Sequence, residues 1–200
     1  MATLSSKAAE TKYRILRVAA DLFCSQGVHA TRPEEIIEAA GVGKGQFYHY
    51  FKSKEGLVHE VLLWYFETLR SGNSPIVSHV GSWSDLEAWF SAHIEFQKGF
   101  GMTRSCIFGT IANEITDGDE VIRRDIARIF DFMHARLANF FSNEKSHGRL
   151  SQDADESALA NFCIAAIQGA MLIGKLRRDS KAAEAIVREA LTDLRRFVAA

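Results

Sequence analysis

A chain of 200 residues with 24 Lys and Arg against 25 Asp and Glu, net charge −1, is neither a polycation nor an acidic tail. With 47% hydrophobic residues, only two prolines and no stretch that alternates apolar and polar residues, it reads as an all-α protein of about nine helices. No apolar h-region opens it, its longest apolar stretch (residues 162–174) is broken by Gln168 and too short to span a bilayer, and its three cysteines have no paired spacing, so a cytoplasmic protein with reduced thiols and no membrane partner is expected.

Residues 1–10 are small and polar and are expected to fray, with Lys7 on a flexible basic arm. A first helix is predicted over residues 11–26. Ile15, Val18, Ala19, Leu22 and Phe23 form its apolar stripe, Cys24 sits beside it as a small hydrophobe, and Gly27 ends it. Residues 31–51, TRPEEIIEAAGVGKGQFYHYF, then read as a short helix, a glycine-bounded turn and a second short helix. Thr31 and Glu34 form a capping box, Pro33 fits the first turn, and Gly41 stands where a left-handed residue ends the helix. Val42 plugs the turn, and the second helix opens at Gly43. This is a helix-turn-helix, whose second helix enters a DNA major groove.

The residue chemistry of that second helix fits the role. Gly45 lets backbone approach DNA closely. Lys44 shares a face with Tyr48, and Gly45 with His49. Lys44 and His49 suit phosphates or bases, the Tyr48 hydroxyl a phosphate, and Gln46 a bidentate contact to adenine. Thr31 and Arg32 before the motif's first helix, and Lys54 after its second, are expected to add backbone contacts. Phe47, Tyr50 and Phe51 are read as mini-core. The first 55 residues carry eight Lys or Arg against six Asp or Glu, and the remainder sixteen against nineteen, so a slightly basic head precedes an acidic body.

A fourth helix is predicted from Ser53 or Lys54 to about Leu69, broken by Ser71-Gly72-Asn73-Ser74-Pro75, with a short segment over residues 76–81. Ser84 with Glu87 caps a fifth helix carrying Trp89, His93, Phe96 and Gln97. A short helix follows over residues 105–115, a turn at 116–119, and a long helix over 120–143 with Phe130 and His134. Two further helices are predicted over residues 154–177, with Cys163, Ile167 and Met171 inside an apolar stripe, and over 180–198. The domain cut is placed between residues 55 and 56. His59, four residues after Glu55, forms a solvated pair with it, and no catalytic, metal or cofactor motif is present.

The ordered series RILRVAADLF (residues 14–23), Gly27, Thr31, Ala40-Gly41-Val42, Lys44-Gly45, Phe47-Tyr48-His49-Tyr50-Phe51, Ser53-Lys54-Glu55 and Leu57 resembles the DNA-binding domain of TetR-type transcriptional regulators. The resemblance covers roughly residues 11–60. Arg32 stands where that family often has a second Thr, and Gly43 where it often has Ser. The resemblance implies a larger C-terminal helical domain that binds a small-molecule inducer, and a homodimer through the last two helices on a palindromic duplex operator. It also implies a pocket in the aromatic-rich middle. Trp89, His93, Phe96, Gln97, Cys106, Phe108, Phe130, His134, Ile167 and Met171 are the candidates, although the same stripes suit a helical core. Cys106, near a helix start and after Arg104, is a candidate thiol sensor with Lys175 as an amine partner. A repressor is the leading expectation. An activator or global regulator of the same fold and, in another class, an all-α enzyme or small-molecule carrier are the alternatives.

Overall fold

The computed structural model describes residues 6–74 and 79–199. Among them the chain forms nine helices: α1 (Ser6–Ala30), α2 (Pro33–Ala40), α3 (Lys44–Phe51), α4 (Lys54–Arg70), α5 (Trp83–Gly99), α6 (Ile107–Ala112), α7 (Glu120–Ser146), α8 (Glu156–Arg177) and α9 (Ser180–Arg195). The extended pairing described is one isolated antiparallel bridge, Leu150 with Val198.

The ends differ from the sequence expectation in instructive ways. Residues 6–10 do not fray: Thr11 Oγ1 donates to Lys7 O at 2.9 Å inside α1, so Lys7 is helical rather than part of an arm. The break expected at residues 71–75 and the segment at 76–81 fall partly on residues 75–78, outside the described residues. The cap of α2 is Arg32, not Thr31. Pro33 takes the first helical position, where its missing N–H costs nothing, so the residue before it becomes the cap. Glu35 then accepts the Arg32 N–H at 2.7 Å, the role assigned to Glu34 from the sequence. Likewise α5 is capped by Ser82, whose Oγ accepts from Asp85 N at 3.1 Å, rather than by Ser84. Helix α9 stops short of residue 198 because the chain turns back: Ser151 N donates to Phe197 O at 2.8 Å, and Ala199 N to Arg149 O at 3.0 Å.

The described chain divides into two compact units, and not at residue 55. The first holds the helices through Glu67 together with Cys106–Ala127; the second holds Thr68–Ser105 and the chain from Arg128 onward. The sixth helix thus packs with the N-terminal helices, in contact with α1.

In the first unit, Ile15, Leu16, Ala19, Ala20, Phe23 and Cys24 of α1 are buried with Ile36, Ala40, Phe47 and Phe51 of the two short helices. Leu57, Val58, Val61 and Leu62 of α4 and Ile107, Phe108 and Ile111 of α6 complete this core. Tyr65 of α4 meets Phe108 edge-on, with ring centroids 5.5 Å apart. His59 is not paired with Glu55 as expected. Its Nδ1 lies 2.5 Å from Asp125 Oδ2 on α7.

In the second unit, α8 packs on α9 and α5, and α5 on α9. Trp83 sets its edge toward Phe140 and Phe141, and its Nε1 donates to the buried Glu144 at 3.0 Å. Arg149 also donates to Glu144, and this bond chiefly holds the carboxyl below the usual carboxylate range. Gln97 is fully buried and spends its amide hydrogens on Arg104 O at 2.7 Å and Met171 O at 2.6 Å. Its Oε1 lies 2.9 Å from where a Cβ on Gly174 would stand, so a side chain at 174 would displace this bridge between α5 and α8. His93, buried beside the Trp89 ring, donates its Nδ1–H to Trp89 O at 2.8 Å, which fixes the neutral tautomer. Burial pushes its pKa down to about 4.

Helix α8 is apolar enough to pass a test of membrane-spanning length and composition, a test that the core helices of globular folds also pass. At 22 residues, with a mean hydropathy of 1.6 in its most apolar window, it is long and apolar enough by length and composition alone. Its apolarity is divided between two faces: Leu159, Cys163, Ile167, Ala170 and Met171 are buried, whereas Phe162, Leu172 and Leu176 are exposed.

His93 provides a test of this core. An unfolded chain takes up a proton at this position below the ordinary value of 6.5, and the folded chain does not until about 4. Folding stability contributed here is therefore complete above 6.5 and lost as pH falls toward 4. Urea unfolding of the parent protein should weaken across that window by up to about 1.4 kcal/mol per pH unit, and His93→Gln should remove that part of the slope.

Candidate nucleic-acid interface

The interface begins with a turn that only a narrow choice of residues makes. Gly41 adopts φ 60, ψ 46 and donates its N–H to Glu38 O at 3.0 Å, and Val42 N donates to Ile37 O at 3.1 Å. This pattern closes α2 and reverses the chain within three residues. Gly43 is extended and caps α3, with its carbonyl accepting from Phe47 N at 3.0 Å. Arg14 of α1 donates its Nε–H to Ala40 O at 2.9 Å, placing a cation on the negative end of α2.

Helix α3 then sorts its residues by face. Phe47 and Phe51 are buried, with their rings 5.5 Å apart. Lys44, Gly45, Gln46, Tyr48 and His49 are exposed together on the opposite side. A Cβ on Gly45 would meet nothing within 4 Å, so at this position the helix backbone is open to an approaching surface. Tyr50 is half-buried, and its hydroxyl donates to Ala8 O at 3.3 Å, tying α3 to the first turns of α1. Lys52 ends α3 in the left-handed region, and α4 begins two residues later.

The residues flanking α3 fall into two groups. Arg32 is exposed, its guanidinium 3.6 Å from Glu35 Oε1. Lys54 is half-buried, and its ammonium donates to His29 O at 3.2 Å. Thr31 differs from expectation: it is fully buried, donating Oγ1–H to Gly27 O at 2.6 Å and accepting from Gln26 Nε2 at 3.3 Å. Its hydroxyl holds the connector between α1 and α2, so Thr31 is not on the exposed face.

One participant in this arrangement left no local signal in the sequence. Glu114, just past α6, accepts the backbone N–H of His29 at 2.7 Å across 85 positions of chain. Gly27, at φ 84 and ψ 167, lies under the same carboxylate, with Glu114 Oε1 only 2.2 Å from where a Cβ would stand. Gly27 is thus required twice, by its backbone conformation and by the space Glu114 occupies.

The ten residues expected to line a ligand pocket divide between the units. Cys106 and Phe108 belong to the first, with Cys106 half-buried at the cap of the six-residue α6 and Phe108 buried. The other eight belong to the second. There Trp89, His93, Gln97, Ile167 and Met171 are buried, while Phe96, Phe130 and His134 are half-buried. His134 Nε2 lies 3.1 Å from Ser157 Oγ, and Phe96 packs edge-on against Phe100. Arg104 places its guanidinium 3.8 Å over the Phe100 ring. A separate open groove of about 490 Å³ runs between α5 and α9, floored by Ile94, Val187 and Leu191 and rimmed by charged groups such as Glu87 and Arg195.

These features find counterparts among known proteins. Residues 15–61 match the family model described as bacterial regulatory proteins, tetR family, and residues 83–190 match the tetracyclin repressor-like C-terminal domain. The chain is 30% identical over 160 residues to the HTH-type transcriptional repressor DhaR of Mycobacterium sp. (strain GP1), a match spanning 79% of each protein. It is 27% identical over 165 residues to the transcriptional regulator AcuR of Cereibacter sphaeroides, covering 81% of this chain and 75% of that one. A TetR-family regulator from Agrobacterium tumefaciens has the same fold, with a TM-score of 0.83 at 21% identity over 94% of this chain and 98% of that one. The chain therefore belongs to the TetR family of bacterial transcriptional regulators, DNA-binding proteins that are not enzymes.

Proposed function

We propose that this regulator is a cytoplasmic homodimeric repressor that binds a palindromic operator through α3 and is released by a small-molecule or thiol-reactive inducer. The observation that carries the proposal is the sorting of α3. Its apolar residues are spent on the core, while Lys44, Gln46, Tyr48 and His49 face outward around a glycine with open space above it. Gln46 is the candidate base reader; Lys44, Tyr48, His49, Arg32 and Lys54 are candidates for positioning on phosphates. The sign of regulation follows that of DhaR, a transcriptional repressor.

The homodimer is supported by the outer face of α8. Ala158, Phe162, Ala165, Gly169, Leu172 and Leu176 follow one another at alternating intervals of four and three, the period of a helix–helix seam. Leu172 is 52% and Leu176 70% exposed, an unusual placement for consecutive leucines of one stripe. Helix α9 turns a more polar face outward, with Lys181, Arg188, Glu189 and Thr192 exposed. The central contact of the dimer is accordingly assigned to α8, with α9 at its margin. Two copies joined in this way present two recognition helices to successive major grooves, with half-sites about 34–36 Å or a multiple apart. An inducer acts by favouring a conformer in which α4 holds those helices at another separation, which requires it to bind the two conformers with different affinity.

Two measurements test the reading. Lys44→Ala combined with Tyr48→Ala should abolish footprinting on the promoter DNA flanking the coding region while the protein stays dimeric. Loss of the dimer instead would show that the wrong face was assigned to DNA. Conversely, Leu172→Glu with Leu176→Glu should convert the sedimenting species to monomer without loss of helicity, and should weaken operator binding by more than about tenfold, because one half-site replaces two.

A further inference from the structure

Lys44 opens the recognition helix, but its ammonium already has a counter-charge. Glu34 of α2 places a carboxylate oxygen 4.0 Å from Lys44 Nζ, with the lysine side chain 71% exposed and the glutamate 64%. Glu34 differs from its neighbour on α2: Glu35 is committed to the Arg32 N–H and to Gln26, whereas Glu34 directs its charge at the DNA-facing lysine.

The place matters because of what surrounds it. The cap of α3 is Gly43, which offers no side-chain acceptor to the first N–H groups of the helix. The positive end of α3 and the Lys44 ammonium therefore stand together, a combination suited to a phosphate oxygen. Glu34 brings to that spot a charge of the same sign as the phosphate.

We infer that Glu34 is a built-in competitor for Lys44 that lowers the protein's affinity for the DNA backbone and flattens the salt dependence of binding. The inference rests on the DNA-binding role proposed above for α3. An ion pair this exposed is held weakly, so a phosphate can take the lysine from it. The carboxylate then stays on the adjoining helix and faces the incoming anion, offsetting part of the charge that Lys44 contributes. Because a phosphate contact carries no sequence information, the penalty falls on every duplex alike. It restrains the protein from binding ordinary chromosomal DNA without altering which sequence it prefers.

The test is fluorescence anisotropy of the full-length protein on a labelled mixed-sequence duplex of about 30 base pairs, titrated between about 50 and 200 mM KCl. Glu34→Gln should bind about two- to fivefold more tightly than the parent at low salt and should steepen the slope of log affinity against log salt by up to about 0.9. Lys44→Ala should weaken binding, and Glu34→Gln added to Lys44→Ala should gain less than it does alone, because the competition has been removed. Circular dichroism should be unchanged in all three variants, since both side chains are exposed. Parent affinity and slope in Glu34→Gln would overturn the inference, as would an equal gain with and without Lys44. Absence of salt-dependent binding in the parent protein is a different result; it would remove the DNA-binding role itself, and the inference with it.

Discussion

Helices of eight residues do not hold together in water, because a single turn costs more entropy than its hydrogen bonds return. Both helices of the DNA-binding motif are that short. Their existence depends on burying Ile36, Ala40, Phe47 and Phe51 in the core that α1 supplies. This dependence also dictates the outward face. With Phe47 and Phe51 fixed inward by the helical repeat, Lys44, Gly45, Gln46, Tyr48 and His49 are left to the exposed surface, while Tyr50 stands half-buried at its edge. The polar face of α3 is a by-product of how its aromatic residues pack.

Around that core, the polar groups mostly work for the backbone. Arg14 serves the end of α2, Tyr50 the first turns of α1, Lys54 the carbonyl of His29, and Glu114 its amide. The connector between α1 and α2 is thereby held from α4 and from beyond α6, as well as by its own Thr31. The second unit follows the same habit. His93 and Gln97, the polar residues of its aromatic stripe, are bound to carbonyls of their own fold. Gln97 ties α5 to α8 beside the narrow contact at Gly174, whereas His93 bonds within α5.

Much of this could be read from the order of residues. Apolar residues at helical spacing located the longer helices among the described residues, because a 3.6-residue repeat survives in any amphipathic segment, while caps and the glycine turn marked α2 and α3. Gly41 announced its turn, since few other residues accept its φ. The separation of Phe47 and Phe51 from Lys44, Tyr48 and His49 followed from the same repeat. Caps were placed less well: Thr31 and Ser84 have the right chemistry, but Pro33 and Asp85 shift each cap by one or two residues to Arg32 and Ser82. The contacts of Glu114, and of His59 with Asp125, had no local trace, because they join positions 85 and 66 residues apart. The burial of Thr31 was hidden for a different reason, since its partners Gly27 and Gln26 lie only four and five residues away. A threonine before a helix looks alike whether its hydroxyl faces solvent or folds back on Gly27.

The seat of Glu114 on Gly27 bears on how such proteins can be recombined. A linear boundary after α3 or α4 looks like a natural seam at which to graft one regulator's DNA specificity onto another's response. In this chain that seam would separate Gly27 and His29 from the carboxylate fitted to them, and join the connector to a foreign sixth helix. Residues 27 and 114 are better regarded as two halves of one joint, to be inherited together, so that a functional chimera would have to carry the short stretch around α6 along with the head it supports.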